Sequence, residues 1–120
     1  MFNINSIVLY VENISNTKKY YKSVFDKELK DMSPTYSILE LEGTNISFKE
    51  TSGLKDLGSE SGVTGGGAEI SFFVSKEVYE KLLKSFKEKK LKIIRESTAI
   101  WGSTFMIIDP DGHRIRFNHA

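Results

Sequence analysis

The side chains able to do ionic or metal chemistry crowd toward the end of this chain. The stretch DPDGHRIRFN (residues 109 to 118) holds His113, Arg114 and Arg116, and His119 follows it. Asp109, Pro110, Asp111 and Gly112 read as a turn, because proline presets φ and an Asp-Gly pair accepts conformations that reverse a chain. A strand should follow. Side chains alternate in a strand, so Ile115 and Phe117 point one way while Arg114 and Arg116 point the other. If the Ile/Phe side is the core, Arg116 faces something that tolerates or requires a cation. The two histidines do not make a metal pair, since His113 lies in the turn and His119 is six residues on, about 20 Å along an extended strand. With no cysteine in the chain, thiolate metal sites and disulfides are excluded. The Gly65-Gly66-Gly67 run lacks the Lys-Ser/Thr and the following helix that a phosphate cradle needs.

The elements that position these residues come from periodicity. SIVLYV (6 to 11) reads as a strand, and Ser15 or Asn16 can cap a helix in which Tyr20, Tyr21, Val24 and Phe25 recur at helical spacing. YSILEL and NISFKE, separated by Glu42-Gly43-Thr44, read as a hairpin. Residues 49 to 68 hold six of the nine glycines and no apolar period, so they read as a linker or mobile loop. The first half is then replayed. EISFFV (69 to 74) matches SIVLYV, and Ser75 caps a helix with the stripe Val78, Tyr79, Leu82, Leu83 and Phe86. After Leu91 to Ile94, STFMIID and HRIRFN form a second hairpin. Aligning the two hairpin turns sets Gly43 on Gly112, Ile46 on Ile115, Ser47 on Arg116 and Phe48 on Phe117. Each half reads βαβββ, module one over 4–50 and module two over 67–119 with the loop at 51–66. One face of each sheet is covered by its own helix, and two such sheets would curve around a groove, where small ligands bind.

Bulk properties narrow the partners. A chain of 120 residues suits one domain with its own core. Its net charge of +1 gives no field for steering polyanions. Arginine occurs only at 95, 114 and 116, and the lysines of EKLLKSFKEKKLK, interspersed with glutamates, read as a solvated helix face, so nucleic acid is not an expected partner. The opening MFNINSIVLYV has no basic leader region and too short an apolar run for a signal core or a membrane span, and a cytoplasmic location is the expectation.

The start SIVLYVENISNTKKYYKSVF, the restart EISFFV and the closing WGSTFMIIDPDGHRIRF together resemble the vicinal oxygen chelate superfamily of glyoxalase I, extradiol dioxygenases and bleomycin resistance proteins. The resemblance implies an α+β fold of two βαβββ modules whose curved mixed sheets enclose a groove. Enzymes of that superfamily hold a divalent metal with inward-facing side chains, typically His, Gln or Glu, from the first and last strand of each half. Carried over, those places are Ser6, Ser47, Glu69 and Arg116. Only Glu69 is a metal ligand by type; serine hydroxyls are weak donors and a guanidinium repels cations, so no metal and no cofactor is expected. In the superfamily the first and last strands of a half are neighbours, which sets Glu69 beside Arg116 as a charge-assisted pair.

Alternation then places Tyr10 with Ser6, and Phe73 with Glu69. Pairing Ile107 with Arg116 and Ile38 with Ser47 turns Phe105 and Tyr36 inward as well, with Trp101 at the mouth. The expected function is metal-independent binding of a flat aromatic ligand, neutral or anionic, as in bleomycin resistance proteins, by a homodimer. The alternatives are a glyoxalase I-like lyase or a dioxygenase-like oxidoreductase, with Glu69 as a base weakened by its arginine, and a dimeric interaction module without a small ligand.

Overall fold

The structure is a computed structural model that describes residues 4–51 and 69–120. The glycine-rich loop and the Gly65-Gly66-Gly67 run lie outside the described residues. The chain divides into two units, residues 1–65 and 66–120. Among the described residues no helix is long and apolar enough to cross a membrane.

The first unit runs β1 (Ser6–Val11), α1 (Ile14–Phe25), β2 (Lys30–Ser33), β3 (Tyr36–Glu40) and β4 (Asn45–Glu50), its sheet ordered β1-β4-β3-β2. β1 lies parallel to β4 and the other pairs are antiparallel, so the sheet is mixed. The helix starts earlier than the Ser15 or Asn16 cap expected of it. Asn13 is the cap, its side chain accepting from the Asn16 N–H at 3.0 Å, because the buried Ile14 is drawn into the first turn and donates its N–H to the Glu50 carboxylate at 2.9 Å. The face of the sheet toward α1 is built from Leu9, Val11, Leu39, Ile46 and Phe48, all buried, with the Tyr21 ring 4.4 Å from that of Phe48.

The second unit repeats the order with β5 (Glu69–Phe73), α2 (Lys76–Glu88), β6 (Ile93–Ala99), β7 (Gly102–Ile108) and β8 (Arg114–His119), in the sheet β5-β8-β7-β6. Ser75 caps α2 as expected, accepting from the Val78 N–H at 3.2 Å. Gly43 and Gly112, aligned by the sequence repeat, have φ of 90° and 91°, a conformation that favours glycine. The two βαβββ units thus share element order, strand pairing and this turn torsion, while their last hairpins differ by one residue in register relative to these glycines.

In one register the structure corrects the expectation. Arg116 pairs with Met106, not Ile107, which moves Phe105 and Ile107 to the helix side and Thr104 and Met106 to the other. Phe105 is fully buried, packed edge-on against Tyr79 at 5.1 Å and Phe86 at 5.9 Å. Burying a phenylalanine is worth about 2–3 kcal/mol, which a one-residue slip would forfeit. The first hairpin has the expected pairing of Ile38 with Ser47.

Candidate functional site

The turn before β8 is the first thing that aims Arg116. Asp109 accepts from the N–H groups of Asp111 and His113 through one carboxylate oxygen, each at 2.9 Å, and meets His113 Nδ1 with the other at 2.7 Å. Both side chains are buried. An ionised carboxylate only accepts, so His113 Nδ1 carries a proton and donates it here. His113, buried in the turn, therefore fixes the start of β8 through this contact.

On the face of the second sheet turned away from α2, Arg116 reaches both neighbouring strands. Its Nε and Nη2 donate to the two oxygens of Glu69 on β5 at 3.2 and 3.3 Å, and Nη1 donates to Thr104 Oγ1 on β7 at 3.0 Å. Thr104 in turn donates to Asn118 Oδ1 at 2.9 Å, and Asn118 Nδ2 donates to Ser71 Oγ at 2.8 Å. Five side chains from three strands thus form one hydrogen-bonded chain. Thr104 was missed from the sequence because the slipped register put Phe105 in its place, whereas Asn118, two residues from Arg116 on β8, follows from alternation alone. The Arg116 and Glu69 side chains are 25 and 40 % exposed, so breaking the pair costs about 1 kcal/mol rather than the 3–5 kcal/mol of a fully buried one. Phe73 shares this face and is 80 % exposed. Trp101 is exposed in the β6–β7 turn, five residues from Met106 or about 16 Å along the strand, so the unit does not bring it to Arg116.

The corresponding face of the first sheet is neutral at its centre. Ser47 lies between Val8 and Ile38, is buried, and its hydroxyl has no hydrogen-bond partner among the described residues. Ser6 and Tyr10 on β1 and Tyr36 on β3 share its parity, and Lys49 Nζ stands 5.2 Å over the Tyr36 ring. Each half therefore repeats the backbone frame and fills the equivalent central position differently, with Ser47 in one and Arg116 in the other.

A family model described as the glyoxalase/bleomycin resistance protein/dioxygenase superfamily matches residues 3–117. The chain belongs to this superfamily. Among its relatives, the phenazine antibiotic resistance protein EhpR of Enterobacter agglomerans is 30% identical over 117 residues, covering 93% of this chain and 88% of that one. The solution NMR structure of a protein from Agrobacterium tumefaciens is 26% identical with a TM-score of 0.77, covering 99% of this chain and 98% of the other. A lactoylglutathione lyase from the same organism shares the fold at a TM-score of 0.80 and 12% identity, with 100% and 95% covered.

The metal that superfamily enzymes carry does not fit the residues found here. At the four equivalent positions stand two serines, an arginine, and a glutamate whose two oxygens already accept from that arginine. Among the described residues no three His, Cys, Asp or Glu side chains come together to hold an ion. A guanidinium beside the single carboxylate would oppose a cation on charge alone.

Proposed function

We propose that this superfamily member is a binding protein that holds a small, flat aromatic molecule without a metal, and that it works as a homodimer. The observation that carries the reading is the Glu69–Arg116–Thr104 arrangement: the position of a metal ligand pair is filled by a side-chain network in which both oxygens of the carboxylate accept from a guanidinium. Among the described residues a Lewis acid of the kind glyoxalase and dioxygenase chemistry uses has no donor set to rest on, and Glu69 is engaged by Arg116 rather than free to act as a base. Exposed Phe73 offers ring surface on the Arg116 face of the second sheet, and exposed Tyr10 offers it on the Ser47 face of the first. The phenazine resistance relative supports the choice of ligand, since phenazines are flat fused aromatics. Dimerisation is supported by exposed apolar side chains on both units, Met32 and Ile100 among them.

The test is a thermal shift of the purified chain with phenazine, run with and without a chelator. A rise in melting temperature that grows with phenazine concentration and ignores the chelator is expected. Absence of any shift at saturating phenazine, or binding that requires an added divalent ion, would overturn the reading.

A further inference from the structure

We infer that the molecule bound carries a carboxylate, received by Arg116 on the face of the second sheet turned away from α2; this rests on the binding reading above and specifies its ligand. Arginine has five N–H donors. Three are used, one on Nε and one on each Nη, by Glu69 and Thr104. Two remain, one on Nη1 and one on Nη2, on a guanidinium already fixed from both sides. A donor pair held in place loses little freedom on binding, and two N–H groups on one planar cation match the two oxygens of a carboxylate.

Charge on this face points the same way. Alternation along β8 puts Arg114 on the same side as Arg116, and Arg114 is the strand partner of Glu69. Arg114 is exposed and has no ion-pair partner among the described residues. Two arginines therefore stand against one glutamate on β5 and β8, and a monoanion would balance the face. Phe73 lies one strand over and two residues along from Arg116, roughly 8 Å between backbones. That spacing suits a ligand whose carboxylate is attached directly to an aromatic ring, the ring lying against Phe73.

The experiment compares three probes by calorimetric titration at low and high salt: phenazine-1-carboxylate, its neutral amide phenazine-1-carboxamide, and unsubstituted phenazine. The carboxylate is expected to bind at least about tenfold tighter than the amide, with the margin shrinking as salt rises. In the double variant Glu69→Gln, Arg116→Met the margin should fall to about twofold or less while phenazine still binds. Arg114→Gln, an exposed change that leaves the network intact, should reduce the margin in low salt only. Equal binding of amide and carboxylate, or an unchanged margin in the double variant, overturns the carboxylate inference and leaves the aromatic binding reading standing. Failure of all three probes to bind overturns both.

Discussion

At the scale of single residues, the unpartnered Ser47 hydroxyl is the most informative group outside the arginine network. A buried hydroxyl without a partner costs about 1–3 kcal/mol, so Ser47→Ala should stabilise the fold or leave it unchanged, where most buried polar deletions destabilise. Urea unfolding midpoints measure this. If the same variant weakens phenazine binding, Ser47 is a position where stability has been given up for recognition. Of the residues singled out by alternation, Ser6, Ser47, Tyr10, Tyr36, Glu69, Phe73 and Arg116 have the facing expected of them, and Phe105 does not. The difference is informative: facing within one strand follows from parity, whereas facing across a hairpin also needs the register, which in β7 is set by how Phe105 meets Tyr79 and Phe86.

Among the elements, the outer strands are where sequence patterning runs out. β2 reads KDMS, with every residue exposed, and gives no strand signal. Polar bonds from Asp31 hold it instead: its carboxylate accepts from Lys18 of α1 at 2.8 Å and from Ser37 of β3 at 2.7 Å. The hydrogen bond from Lys18, then that from Ser37, lowers the Asp31 carboxyl below the ordinary 3.8. A depressed carboxyl contributes stability above its unfolded value and loses it as pH falls through the folded one. The stability difference between the wild type and Asp31→Asn should therefore be present at neutral pH and vanish in strong acid, a modest effect because the group is exposed. β6 is irregular for another reason. Arg95 and Glu96 together oppose Phe105, a bulge with Arg95 at φ 52°. Since side chains disfavour that region, Arg95→Gly should raise stability by about 0.5–1 kcal/mol, readable as a higher melting temperature.

For the molecule as a whole, the repeat was the most legible feature. Two strand-helix starts and two glycine-bearing hairpins predict two βαβββ units, and the matched φ of Gly43 and Gly112 carries the repeat down to a single torsion. The halves diverge in hairpin register and also chemically: the same β4 and β8 position carries a hydroxyl in one and a guanidinium in the other. The assembly expected from the exposed apolar side chains is a two-fold dimer. Light scattering at micromolar concentration should give twice the mass of the 120-residue chain, and a monomer mass would count against the dimer.

The clamp between Asp109 and His113 also makes a built-in reporter. An imidazole proton donated over 2.7 Å to a carboxylate, with both side chains shielded from water, exchanges slowly and is strongly deshielded. In a proton NMR spectrum recorded in water it should appear as a lone resonance far downfield of the amides. Asp109→Asn should move or abolish that line. Because the same turn launches the strand bearing Arg114 and Arg116, following the resonance during a ligand titration would show whether occupancy of the arginine face is felt at the root of β8.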